Sequence, residues 1–294
     1  MKRYLVAYNP AAAGLGNRMR VVLGAKVLAE HEDRRLLYVW PTGPKFGPKL
    51  TELWDFTGGR RLSKYLSRAL APLVPYGDRD VRNSAGPDAG PRIRQIMTGG
   101  ELQLPPGLRS WRDEFRSLRP APPIAERVNA FHADQLGSEP YVGVQIRAHA
   151  VSHEKTKAMS PTSWFVDRMH QIEDADPGVR FFVSCDVPEV FEQITAEFPT
   201  AVGIKDKGAY NSTEGVTGGV ADLYLLAGSG YLLGPYWSSF IELAQHLAGD
   251  RITVETANET ATGGVDFTSL GVVADPLRPA DRGGSTADRP DAGA

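Results

Sequence analysis

The chain has 294 residues, enough for about two domains. Its 33 basic and 35 acidic side chains give a formal charge of −2, which excludes a strongly basic nucleic-acid binder on bulk charge, and 41% hydrophobic residues suffice to build cores. The single cysteine, Cys185, excludes an internal disulfide framework and a thiolate zinc cluster, and no apolar run approaches the roughly 18 residues of a membrane span.

Lys2 and Arg3 precede the apolar run Tyr4–Tyr8, but five apolar residues ended by Asn9 and Pro10 fall short of the roughly 7–15 that a secretion signal needs. The expected location is the cytoplasm. Tyr4–Tyr8 reads as a buried parallel strand. Residues 10–16 break it, and Met19, Val22, Leu23 and Val27 then share one helical face. Leu36–Trp40 reads as a second buried strand, so the first forty residues form a strand–helix–strand unit with parallel pairing. Residues 41–60 are irregular and rich in aromatics. Residues 76–110 are rich in Gly, Pro, Arg and Asp and carry no firm assignment. Arg119-Pro-Ala-Pro-Pro123 reads as a linker, because clustered prolines continue neither helix nor central strand.

Beyond it, Ile124, Val128, Phe131 and Leu136 predict a helix. Tyr141–Ile146 predicts a strand, 161–172 a helix, Phe181–Ser184 a strand and 188–198 a helix. Residues 219–227 predict a helix, Tyr231–Leu233 a strand, 238–247 a helix and Ile252–Val254 a last strand. The alternation predicts an α/β protein with two Rossmann-like domains facing a central cleft. The expected boundaries are 1–120, a linker and connecting helix over 121–137, and 138–260. The tail 274–294 has one large apolar residue, Leu277, and is expected to be disordered.

Chemistry is expected where strands end. Gly14-Leu-Gly16-Asn17-Arg18 follows the first strand; glycines let backbone amides approach a ligand, and a helix N-terminus favours an anion. The same pattern also serves a tight turn. A dinucleotide fingerprint would need a glycine where Met19 stands and an acid after the second strand. Arg147 lies just past a buried strand, where a guanidinium can grip phosphate with two parallel bonds or close a salt bridge. Ser184-Cys185-Asp186 follows the next strand. Asp222 interrupts an apolar helix; it either needs a partner if buried or sits near a helix start at Gly218-Gly219. A guanine base offers adjacent donors that one carboxylate can accept. Ser239 and Glu242 have capping-box spacing, and Ser238 or Ser239 could cap a helix or meet a phosphate. Asp78-Arg-Asp80 and Asp174-Ala-Asp176 read as surface charges, and His149 and His153 lie in a loop, so no metal site is expected.

In this order the motifs resemble the fucosyltransferases that use GDP-fucose: the nodulation fucosyltransferase and the alpha-1,6- and protein O-fucosyltransferases. The resemblance spans roughly residues 4–250 and rests on five segments. These are Gly-Leu-Gly-Asn-Arg18, Val-Gly-Val-Gln-Ile-Arg147, Phe-Phe-Val-Ser-Cys-Asp186, Asp222-Leu-Tyr-Leu-Leu-Ala, and Leu-Gly-Pro-Tyr-Trp-Ser-Ser239-Phe. It implies a GT-B-like fold and an inverting, metal-independent transfer of fucose or a related sugar from a GDP-sugar to a hydroxyl acceptor. That acceptor is a glycan, peptide or small molecule. The GDP-sugar is a co-substrate, and no cofactor is implied. By carry-over, Arg147 holds the diphosphate and Asp222 the guanine, Ser238 and Ser239 contact phosphates, Gly14, Gly16 and Asn17 border the donor, and Asp186 lines the cleft. Glu154 is the expected general base, with His149 and His153 behind it. Gln145 stands at the family's His and Ala148 at its second Arg. That departure leaves open a catalytically weakened GDP-sugar or glycan-binding protein.

Overall fold

The computed structural model describes residues 2–10, 14–87, 90–149, 158–249, 251–267 and 273–282. The chain divides into two compact units. One holds Met1–Ala121 and takes back Asn211–Val216; the other holds Pro122–Tyr210 and Thr217–Ala294.

The first unit is built on a parallel sheet in the order β3-β2-β1-β5-β4. Its strands are β1 (Tyr4–Tyr8), β2 (Arg35–Val39), β3 (Arg60–Leu62), β4 (Tyr76–Gly77) and β5 (Ile93–Met97). Helix α1 (Leu15–His31) joins β1 to β2, and Met19, Val21 and Leu23 are fully buried. On one sheet face Val6, Tyr8 and Val39 pack with Leu37, Leu62, Tyr76 and Ile93. The short helices α2 (Leu50–Leu53), α3 (Lys64–Leu70) and α4 (Trp111–Ser117) complete this stretch. Within the same unit Gly47 N–H donates to Asn211 O at 2.9 Å, which ties the returning segment down.

The second unit repeats the plan, with strand order β10-β9-β6-β7-β8 and every pair parallel. Its strands are β6 (Val142–Ile146), β7 (Phe181–Cys185), β8 (Ala201–Val202), β9 (Tyr231–Leu233) and β10 (Thr253–Glu255). Helix α5 (Pro122–Phe131) runs into a single π turn at His132–Leu136, closed by Gly137 N–H on His132 O at 2.7 Å. Then come α6 (Thr162–Ala175), α7 (Pro188–Glu197), α8 (Thr213–Gly228), whose residues 213–216 count with the first unit, and α9 (Ser239–Leu247). Val142, Val144 and Ile146 of β6 pack with Phe165, Met169 and Ile172 of α6 and with Phe191 of α7. Strand alternation therefore turns Gly143 and Gln145 to the other face. There Gly143 has no room for a side chain: a Cβ would meet Ser229 Oγ at 2.8 Å.

Several expectations change. Pro122 opens α5, since a proline is tolerated in a helix's first turn, so the proline cluster ends the first unit without forming an extended linker. The helix expected from 219 begins at Thr213. A strand, β5, lies in the stretch left unassigned. The tail does not begin as a structureless segment at 274: Arg282 Nη2 donates to Ala227 O at 2.8 Å and to Ser229 O at 2.7 Å, and residues 283–294 lie outside the described part.

Candidate functional site

Neighbouring strands β6 and β7 pair Ile146 with Cys185, so the residues just past them, Arg147 and Asp186, leave the sheet side by side at its carboxyl end. Asp186 Oδ1 accepts the backbone N–H of Ala148 at 2.7 Å and of His149 at 3.0 Å. Its Oδ2 is buried without a hydrogen bond and lies 3.9 Å from Arg147 Nε. Asp186 thus fixes the backbone that carries Arg147 and His149. The guanidinium is 29% exposed and donates from Nη2 to Tyr210 Oη at 3.2 Å, which leaves most of its five donors for an anion from solvent. The His149 ring stacks on Tyr210 with centroids 4.3 Å apart and planes 10° from parallel.

Under these residues, on the Gln145 face, lies a buried polar group. Ser184, paired with Gln145 across the strands, donates to Asp222 Oδ2 at 2.6 Å. Lys207 Nζ donates to the same oxygen at 2.5 Å and to Cys185 O at 3.3 Å. Asp222 is 1% exposed, and its Oδ1 and the Oε1 of Gln145 are buried without a hydrogen-bond partner. Asp222 sits well inside α8, not at a helix start. Its Oδ2 is already taken by Lys207 and Ser184, so a base could meet this carboxylate only through the buried Oδ1. Burial pushes the Cys185 thiol up to about 11, which keeps it a neutral, unreactive thiol.

Helix α9 starts where β9 turns. Ser238 is the cap, its Oγ accepting Ile241 N–H at 3.5 Å. The Ser239–Glu242 capping box therefore does not form: Ser239 is already the first helical residue, one place too late to cap. Trp237 before it has φ 61° and is 69% exposed, an unusual backbone for a bulky residue. Tyr236 N–H donates to Ser160 Oγ at 2.7 Å, which fixes this turn against the start of α6.

Gly14, Gly16 and Asn17 belong to the first unit. Gly14 caps α1 without a side-chain bond, while Gly16 and Asn17 lie within its first turn, so the segment is a helix start, not a free loop. Asn9 Nδ2 donates to Asn17 O at 3.0 Å. Arg18 is 4% exposed, donates to Pro41 O at 2.7 Å and lies 4.0 Å over Phe46; burial pulls its pKa down to about 10. It holds the first unit together. Glu154, with His153 and Lys155, lies outside the described residues.

Arg147, His149, Asp186, Asp222, Ser238 and Ser239 all belong to the second unit, with Arg147, His149 and Asp186 in one cluster. Sequence reasoning missed Lys207 and Tyr210. Both sit in the loop Gly203–Asn211, whose charged and small residues give no periodic pattern, and only the partner that a buried Asp222 demands pointed toward a cation.

Comparison of the sequence with protein-family models and with curated proteins finds no match. Solved structures do match. The fucosyltransferase NodZ from Bradyrhizobium superposes with a TM-score of 0.60 at 16% identity, over 83% of this chain and 92% of that one. A variant of Arabidopsis thaliana FUT1 in complex with GDP gives 0.54 at 16% identity, over 94% and 74%. POFUT1 in complex with GDP-fucose gives 0.51 at 13% identity, over 86% and 98%. Two parallel sheets with helices between most successive strands thus give this chain an α/β, GT-B-like fold, the fold of these fucosyltransferases.

Proposed function

We propose that the chain transfers fucose, or a related sugar, from a GDP-sugar to a hydroxyl acceptor, with inversion and without a metal. The observation that carries this reading is the pairing of Arg147 with Asp186 at the carboxyl ends of β6 and β7. Ligands of open α/β sheets bind at that edge. The fold adds support, because NodZ has been solved after soaking with GDP-fucose and POFUT1 with GDP-fucose bound.

In the proposed mechanism the Arg147 fork binds the diphosphate. The anomeric C–O bond breaks as the acceptor oxygen attacks from the opposite face, and the negative charge that grows on the departing GDP falls to Arg147 and to the first-turn amides of α9 beside Ser238 and Ser239. A general base takes the acceptor proton; Glu154 fills this role, with His149 as the second candidate. Asp222 acts indirectly, by holding Lys207 and Ser184. Tyr210 and Asp186 keep the guanidinium and His149 in place before the donor arrives.

A second reading is a catalytically weakened GDP-sugar or glycan-binding protein. It is favoured by Gln145, which is 6% exposed and turned into the buried polar group, where the resembled family keeps a histidine. A thermal-shift series with GDP, UDP and ADP, followed by GDP-fucose with a panel of acceptors, tests both. Saturation at about 100 times Kd stabilises by about 2.7 kcal/mol, so GDP should stand out from the other nucleotides. Equal shifts for all three would remove the guanine preference, and GDP binding without turnover on any acceptor would favour the binding protein.

A further inference from the structure

Helix α3 faces the wrong way for a surface helix. Its one buried residue is Ser67, whose Oγ donates to Gln95 Oε1 at 2.9 Å and lies 2.9 Å from Tyr76 Oη, so polar contacts seat the helix on the first unit's sheet. The apolar residues point outward: Tyr65 is 71% exposed, Leu66 50% and Leu73 83%. Val74 N–H donates to Leu70 O at 2.8 Å, which carries the helical path beyond Leu70. Leu66, Ala69, Leu70 and Leu73 then follow the i, i+3, i+4, i+7 spacing of one stripe, the pattern that a surface helix ordinarily buries. The charge within this stretch of sequence, between Asp55 and Asp78, has one sign. From Phe56 to Gly77 the sequence holds Arg60, Arg61, Lys64 and Arg68 and no acidic residue, in a chain whose net charge is −2.

We propose that α3 and the turn after it dock on an anionic lipid surface. Leu66 and Leu73 enter the boundary between headgroups and acyl chains, Tyr65 sits at the interface, and Arg60, Lys64 and Arg68 face lipid phosphates. A second copy of this chain is a poor occupant, because a two-fold contact through the stripe would set the same cations against one another. A peptide would need a groove, and the grooves of about 620 and 440 Å³ are lined by other residues. No described helix is long and apolar enough to cross a membrane, so the contact is peripheral.

The test is flotation of the full chain with vesicles of phosphatidylcholine containing about one third phosphatidylglycerol, beside vesicles of phosphatidylcholine alone. The chain should float with the anionic vesicles and at least about tenfold less with the neutral ones. Leu66→Glu with Leu73→Glu changes two exposed positions, so the melting temperature should hold while the floated fraction falls about tenfold. The proposal is overturned by absence of binding, by equal binding to both vesicles, or by binding that survives the glutamates. A concentration-dependent dimer that the glutamates abolish would assign the stripe to a second copy and overturn it too. GDP binding plays no part in this readout, so its failure and that of the donor-site reading are separate events.

Discussion

Asp222→Asn separates two jobs that one carboxylate could do. Its Oδ2 accepts from Ser184 at 2.6 Å and from Lys207 at 2.5 Å, with the side chain 2% exposed. The amide keeps the shape but removes the charge opposite the lysine. Hydrogen bonds to an ionised group contribute about 1.5–3 kcal/mol each, and breaking a buried pair from one side costs about 3–5 kcal/mol. Lys207 is 16% exposed and can turn toward water, so the asparagine variant should lose about 3 kcal/mol, the lower end of that range. Lys207→Met strands the carboxylate and should lose nearer 5 kcal/mol. Both are large against the roughly 5–15 kcal/mol that hold a domain folded. Urea unfolding of the two single variants and the double variant measures the pair, and the double should be more stable than additivity predicts by at least about 1 kcal/mol. GDP titration of the same folded proteins decides the role: a structural carboxylate leaves affinity within about threefold, under 1 kcal/mol. An asparagine variant with an unshifted urea midpoint and a hundredfold weaker GDP complex would refute the structural role and return Asp222 to the guanine.

Arg147→Ala should fold normally and lower GDP-fucose turnover at least about a hundredfold, and Arg147→Lys should recover only part, because it keeps the charge and loses the fork. Normal turnover by the alanine variant would remove the clamp. Gly203→Ala would place a Cβ 2.3 Å from Val183 O and 2.5 Å from the Phe191 ring, so a midpoint loss of about 1–3 kcal/mol is expected in urea, and none if the loop simply shifts. Arg282→Ala removes the two bonds to Ala227 O and Ser229 O and should cost about 2–3 kcal/mol; a cut after Val273 should cost at least as much, as scanning calorimetry can show. Burial holds the His132 imidazole below its usual range, so the unfolded chain binds that proton first. Stability from this residue is complete above about pH 6.5 and falls as pH drops through that value; His132→Gln should flatten the melting temperature there.

Where apolar residues ran unbroken, the fold was legible. Leu5–Tyr8 and Phe181–Val183 are buried from both faces, and that burial leaves a continuous signature in sequence. Strand β5 was not legible, because Arg94 pairs with the buried Glu32, and Gln95 donates to Val74 O at 2.7 Å while accepting from Ser67. Its two central side chains are polar and satisfied by residues distant in sequence, so no periodicity survives. The start of α1 was set too late for a related reason: glycines read as a loop, whereas Gly16 is buried inside the first turn. At the site, Arg147 and Asp186 were legible from their places after buried strands. Lys207 and Tyr210 were not, because what makes them matter is the chain's return from β8, a long-range event with no local mark.

That the first unit takes back Asn211–Val216 bears on how the protein is made. Gly47 lies so close to this segment that a Cβ there would meet Thr213 N at 2.5 Å, and Asn211 O accepts the Gly47 amide at 2.9 Å. A ribosome that has just released Ala121 has therefore not yet supplied the whole unit. The missing piece arrives about 95 residues later, which at about 5–20 residues per second is a delay of roughly 5–20 s. Through that interval the nascent first unit exposes the surface around Gly47, and β6, β7 and β8 of the second unit are synthesised before the first can close. The two units are bound to each other's timetable: a fragment ending at Ala121 has all five strands of its sheet but lacks the turn and helix start that pack on Gly47, and vectorial synthesis cannot finish one half before beginning the other.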